Sequence, residues 1–305
     1  DVLAPVFINA RFEGNVAGDS GGAIFFRSTI SSGVVVRSSF TNNVAYNDGG
    51  AIMVLAVIEG MTVRDTLLEG NTAYKRGGGV AVLLNNGHSD GLLSSRYEIL
   101  LQNCTFNGNT AGSKGGGVYA GENNFIEIEN CHFLQNTAIE EGGGLHADAS
   151  NTVYLSSCVF VSNSALEIGG GISSSSGNKF LFTFSLAMTG NHAGLMGGEM
   201  YVNYNSDVSF TGQVSFDSNS AHAGGAVSFQ NSMLWSSYEN TMIMKSNTAM
   251  RGSAVALAYF PVSSSRVLAN ISFTQNVASV GGTVFWVNDE VMVLEPLGLS
   301  SSSLL

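Results

Sequence analysis

The chain has 305 residues, of which 44% are hydrophobic and only 11% charged, with a formal charge of −11. That much apolar surface with so little charge excludes a disordered chain. The only lysines, Lys75, Lys114, Lys179 and Lys245, are scattered, which excludes the clustered cationic surface that nucleic acid requires.

Taken in chain order, the predicted elements repeat. The first copy runs from Phe12 through Asn15 and Ala17 to Gly21-Gly22, then into an alternating strand, Ala23 to Phe26. The second runs through Phe40, Asn43, Ala45 and Gly49-Gly50. The motif recurs ten times, with its asparagines at Asn15, Asn43, Asn71, Asn109, Asn136, Asn163, Asn191, Asn219, Asn247 and Asn276. Their spacings are 28, 28, 38, 27, 27, 28, 28, 28 and 29. The residue two positions on is always Ala, and the paired glycine positions are Gly in nineteen of twenty cases, Ser253 being the exception. The apolar spacing is two rather than 3.6, so the copies read as strands, one coil per copy. These features predict an all-β, right-handed parallel β-helix solenoid of about ten coils, with about 28 residues per coil, over residues 1–294. Residues 295–305 read as a Ser-rich tail or linker. At about 4.8 Å per coil the rod would be about 50 Å long.

Each repeated position becomes a column. The large apolar position (Phe12, Phe40, Leu68, Phe106, Phe133, Phe160, Met188, Phe216, Met244, Phe273) is expected to form an internal spine. The asparagines are expected to form an amide ladder at a bend, and the glycine pairs a tight turn with positive φ. The motif resembles the polymorphic outer-membrane-protein repeat of chlamydial autotransporters, Phe-x-x-Asn with Gly-Gly-Ala-Ile/Leu/Val. Phe40 to Asn43 and Gly49 to Ile52 match both halves literally. Gly117-Val118 and Gly144-Leu145 relax the alanine. The resemblance implies a pectin-lyase-like β-helix and a surface-displayed adhesive or structural passenger. The family's C-terminal barrel has no counterpart in this sequence.

Several positions could carry chemistry. Gly18 to Gly22 and Asn47 to Gly50 faintly resemble calcium-binding β-roll repeats, but no Asp recurs at the required interval of nine. The column before the glycines (Ser20, Asp48, Arg76, Lys114, Glu141) would make opposite charges vertical neighbours. The 38-residue spacing places a ten-residue insertion near Asn85 to Arg96, with Asn86, His88, Asp90 and Arg96 as candidate contact residues. Cys104, Cys131 and Cys158 share one inward column, where in-register side chains favour buried free thiols over a disulfide or a metal site. Asn103 and Asn270 head the two N-glycosylation sequons. His146 and Asp148, with Tyr119 and Tyr201 on the column of His146, form the best candidate cluster, read as outward and solvated with no cation placed beside it. Glu127 and Glu129 form a weaker pair. The outward column Phe25, Tyr119, His146, Tyr201 and Phe285 is a candidate packing surface for a neighbouring chain or a glycan.

The sequence thus predicts an extracellular, cell-surface structural or adhesive stalk or filament subunit within a larger assembly. It predicts neither catalytic residues nor a cofactor. Its expected partners are other surface proteins, copies of itself end to end, or glycans. The alternative is a polysaccharide-active β-helix lyase or hydrolase. No stretch reaches the about 20 apolar residues of a transmembrane helix, and no signal peptide opens the chain, which reads as a mature protein or an excised segment.

Overall fold

The computed structural model describes residues 4–27, 33–55, 60–83, 98–236, 241–258 and 271–287. Each coil contributes four short strands. In the fourth coil these are Glu98–Gln102, Thr105–Asn107, Thr110–Ala111 and Val118–Ala120. Equivalent strands of successive coils pair in parallel, giving four sheets of nine, ten, ten and ten strands among the described residues. Nine coils therefore reach all four sheets and a tenth reaches three. The segment before the tenth coil's second-sheet strand, 259–270, lies outside the described residues.

Bends between sheets typically place a single residue in the left-handed region, the Thr211-Gly212 bend being an exception. Around the fourth coil these are Asn103 (φ 53°), Gly108 (60°), Gly115 (68°) and Asn123 (59°). One such residue redirects the chain sharply, and Gly and Asn tolerate it best. The glycine pair has two separate causes. Gly115 supplies the positive φ, while a Cβ on Gly116 would stand 2.3 Å from the Gly143 carbonyl oxygen of the next coil. Phe184 is the one aromatic residue at such a bend among the described residues, with φ 60° and 71% exposure.

The expected spine is present and in register. Phe40 pairs with Leu68, Leu68 with Phe106, Phe106 with Phe133, and Phe133 with Phe160. The Phe106, Phe133 and Phe160 rings stack at 4.8 and 4.5 Å, nearly parallel, and are fully buried. Val35, Val63, Leu101, Ile128 and Leu155 face them from the first sheet, and Ile52, Val80, Val118 and Leu145 from the fourth. Each fully buried side chain of this size stabilises the fold by about 1.5–3 kcal/mol.

The asparagine ladder is also present. Asn136 Nδ2 donates to Asn163 Oδ1 (2.9 Å) and to the Phe106 carbonyl (2.9 Å). Its Oδ1 accepts from the backbone N–H and the Nδ2 of Asn109, both at 3.0 Å. Both donors and both acceptor sites of the buried amide are therefore used. The same pattern runs from Asn15 to Asn276.

The cysteine column behaves like its Ser and Thr equivalents. All three thiols are free and buried. Cys104, Cys131 and Cys158 donate to the carbonyls of Gln102, Glu129 and Ser156, as Ser38 and Thr66 donate to those of Val36 and Arg64. Burial pushes the Cys158 thiol up to about 11 and Cys131 up as well. Cys131 and Cys158 therefore stay protonated and act as hydrogen-bond donors.

Replacing an internal rung should cost far more than replacing an end rung. Asn136→Ala strips partners from Asn109, Asn163 and the Phe106 carbonyl, and is expected to destabilise by about 3 kcal/mol or more. Asn15→Ala, at the exposed first rung, is expected to cost less than half as much; chemical denaturation followed by circular dichroism compares the two.

Candidate functional site

Alternation along the fourth-sheet strands points one residue of each coil away from the core. These residues form the register Met53, Ala81, Tyr119, His146, Ser173, Tyr201 and Ser228. The expectation that this face is solvated is overturned. His146 is 0% exposed, Tyr119 1% and Tyr201 4%. The cause is the chain segment entering from the third sheet, whose pre-glycine residues Arg76, Lys114, Glu141, Ile168 and Met196 form their own parallel column. That column lies against the outward one: the Arg76 guanidinium sits 4.8 Å from the centre of the Tyr119 ring. Met53, Ala81 and Tyr119 form a second, small apolar cluster there. The outward column is therefore covered by its own chain at Tyr119, His146 and Tyr201, which removes those residues as a packing surface for a partner.

The expectation that no cation stands beside His146 and Asp148 is overturned as well. Arg76 grips Asp48 with two 2.9 Å hydrogen bonds, Nε to Oδ1 and Nη2 to Oδ2, and donates from Nη1 to the Tyr119 hydroxyl at 3.0 Å. Tyr119 in turn donates to Asp148 Oδ2. His146 Nε2 is 2.9 Å from Asp148 Oδ1, and its ring stacks on Tyr119 at 5.7 Å. Lys114 lies 3.2 Å from Glu141 and 3.7 Å from Asp148. Ser175 donates to Asp148 at 3.4 Å. The vertical charge pairs Asp48–Arg76 and Lys114–Glu141 occur as the column spacing predicts.

These contacts set the charges. The hydrogen bond to Asp48 raises Arg76 above its ordinary value, against the opposing effect of burial. Burial, aided by Asp148, raises the Tyr119 phenol. Burial alone would raise Asp148 too. The hydrogen bond and charge of His146, the Tyr119 hydroxyl and Lys114 outweigh it and hold the carboxyl well below the usual range. Asp148 is thus a saturated carboxylate, poorly suited to act as a base, and the His146 ring has no open face. Tyr201 belongs to a separate network, donating to Gln230 at 2.6 Å, with Gln230 donating to Tyr204. Burial, with the charges of Glu141 and Tyr204, pushes Tyr201 up to about 12.

Other candidates fall elsewhere. Glu127 and Glu129 lie on the first sheet, where Glu129 accepts from Gln102 at 2.8 Å. Asn103 is exposed at a bend, and its Nδ2 donates to Asp65 at 3.0 Å. Asp19 accepts from Asn47, and Asp48 is held by Arg76, so both carboxylates of the β-roll-like segments have protein partners. No group of three or more His, Cys, Asp or Glu among the described residues is placed to hold a metal ion. Asn86, His88, Asp90, Arg96, Asn270 and the 295–305 tail lie outside the described residues.

Two features escaped the sequence reading. A second ladder links Asn124, Asn151, Asn178 and Ser206 at the bend before the first sheet, backbone N–H to side-chain oxygen. The other is Glu199, fully buried with neither carboxylate oxygen hydrogen-bonded. It occupies an inward column that is otherwise Ala, Gly or Thr, and its carboxyl fills the space above Gly171, where a Cβ would stand 2.3 Å from Oε1. A lone Glu in a Gly/Ala column was the available signal.

Tyr119→Phe is expected to destabilise by about 1–3 kcal/mol, because it leaves Arg76 Nη1 and Asp148 Oδ2 each short of a partner. The depressed Asp148 carboxyl contributes stability present above its unfolded value, about 3.9, and lost as pH falls through the folded value. Asp148→Asn should therefore differ from the native chain at pH 7 and converge with it in acid. Glu199 has the opposite sign: burial raises its carboxyl well above the ordinary value. Native stability should fall as pH rises past about 4.3, by up to about 1.4 kcal/mol per pH unit from this group. Glu199→Ala should lack that slope and be more stable than native at pH 8, measured by denaturation across pH.

Three segments match the Chlamydia polymorphic membrane protein repeat: residues 9–27, 37–54 and 103–121. Each spans a second-sheet strand, an asparagine rung and the glycine turn into the fourth sheet. No curated protein and no solved structure matches the chain. In its first, second and fourth coils, then, this β-solenoid carries the sequence signature of the chlamydial polymorphic membrane protein repeat.

Proposed function

We propose that this chain is a surface-exposed β-helical stalk, adhesive or filament element, working outside the cell as part of a larger assembly. The observation that carries the reading is the continuity of the asparagine ladder and apolar spine through every coil, which makes a stiff rod. The repeat match supports display at a cell surface. Repeating columns admit further coils, from the same polypeptide or another copy, so stacking along the axis is the proposed mode of self-association. Surface proteins and glycans are the proposed partners.

The enzymatic alternative would draw on His146 and Asp148, whose geometry supports it poorly. His146 is enclosed and Asp148 already accepts from Tyr119, His146 and Ser175. Antibodies raised against the purified chain should label intact, unpermeabilised cells of the source organism; label only after permeabilisation would sink the surface reading. Incubation with acidic polysaccharides should release no product, whereas turnover abolished by Asp148→Asn would establish the enzyme.

A further inference from the structure

Fifteen large hydrophobic residues are exposed among the described residues, and their distribution is uneven. Seven lie along one edge, where each third-sheet strand turns toward the fourth: Tyr46, Tyr74, Ile139, Leu166, Leu195, Met250 and Val280, each 38–63% exposed. Five of them, Tyr46, Tyr74, Ile139, Leu166 and Met250, take the position directly after the motif alanine. The backbone N–H groups of the first four donate to the alanine of the preceding coil, as Tyr74 does to Ala45 and Ile139 to Ala111, so these form one in-register column. Over the first seven coils this column reads Gly18, Tyr46, Tyr74, Gly112, Ile139, Leu166, Gly194: two apolar side chains, then none, with a period of three coils. The Tyr46 and Tyr74 rings stack on each other at 5.1 Å, but the ladder itself uses only backbone atoms, so it does not require Ile139 or Leu166 to be apolar.

Around Ile139 and Leu166 the charges are not balanced, whereas elsewhere on the edge Lys75 follows Tyr74 and Arg251 follows Met250. Lys114 pairs with Glu141, and Arg76 with Asp48. Next to Ile139 and Leu166 stand Glu140 and Glu167, which take part in no ion pair among the described residues. Glu140 accepts only the Ser113 hydroxyl at 2.5 Å, and Glu167 is exposed. An apolar line flanked by unpaired acids, on a chain of charge −11, disfavours an anionic membrane and disfavours a second copy, which would bring the same acids.

We propose that this ridge, centred on Ile139, Leu166 and Leu195 and bordered by Glu140 and Glu167, is a docking surface for an extended, cationic segment of another polypeptide that carries apolar side chains. The dimensions agree. Three coils advance about 14 Å, and every fourth residue of an extended strand, on one face, advances about 13 Å. Apolar side chains four residues apart can thus meet the interruptions at Gly112 and Gly194, while intervening Lys or Arg face the two acids. The inference names a contact for the surface rod and rests on that reading only for its setting.

The test uses the full chain and the fluorescein-labelled peptide Lys-Phe-Lys-Ser-Lys-Phe-Lys, with Lys-Ser-Lys-Ser-Lys-Ser-Lys as its charge-matched control, read by fluorescence anisotropy. The phenylalanine peptide should bind at least about tenfold tighter than the control. Ile139→Ser combined with Leu166→Ser should abolish that difference, and Glu140→Gln combined with Glu167→Gln should weaken both peptides. Circular dichroism melts confirm that these surface variants fold. Equal affinity for the two peptides, or native-like binding by the apolar double variant, overturns the proposal. So does a concentration-dependent dimer, seen by sedimentation without peptide, that the apolar double variant dissolves: the occupant would then be a second copy. None of these failures alters surface labelling of intact cells, so the rod reading stands or falls separately.

Discussion

The structure depends on one constraint, the stacking of each coil on its neighbour at about 4.8 Å. At that distance every side chain faces its own counterpart above and below, so whatever occupies a column must be compatible with itself. Aspartate or lysine at the ladder position would stack like charges in a buried corner. An amide has as many donors as acceptors, and Asn136 uses all of them along the axis. Flat rings satisfy the same rule in the apolar spine, where Phe106, Phe133 and Phe160 lie nearly parallel at close to the coil spacing. The Ser38, Thr66 and cysteine column satisfies it with small donors that each turn to the carbonyl two residues upstream.

A second effect follows from the glycine turn. The segment between the third and fourth sheets folds over the outside of the fourth sheet and buries a face that alternation alone would leave wet. Polar groups caught there must find partners, and over the second to sixth coils they do so as one network from Asp48 to Ser175. Farther along, the covering column becomes Ile168, Met196 and Ala223, and the network ends. Glu199 lies in this later stretch, on the inward side, where nothing polar reaches its carboxyl.

Much of this was legible in the sequence, and the reason is physical. A column that must match itself repeats at a fixed interval, so the spine, the ladder, the glycine pairs and the vertical charge pairs could be assigned by counting. Burial of His146 could not, because a period of two states which face a residue occupies and is silent about what covers that face. Arg76 reaches Tyr119 across 43 positions of sequence, through the turn segment rather than along a column. The Asn124 to Ser206 ladder was hidden because its rungs mix Asn with Ser and follow connections with no shared motif. Glu199 was visible as an exception within a column, but its cost appears only once the column is known to point inward.

The same constraint bears on where function resides. Positions inside the solenoid answer to stacking: changing one rung or ring is felt by both neighbouring coils, which leaves little freedom for recognition. The enclosed Tyr119, His146 and Asp148 network is bound by a similar logic, since each of its groups is already spent on another. Freedom remains at outward positions whose backbone does the pairing, and there the side chains vary from coil to coil, as at Tyr46, Gly112, Ile139 and Leu166. A solenoid of this kind separates two constraints by geometry, with the interior holding the coils in register and the outward edges free to vary.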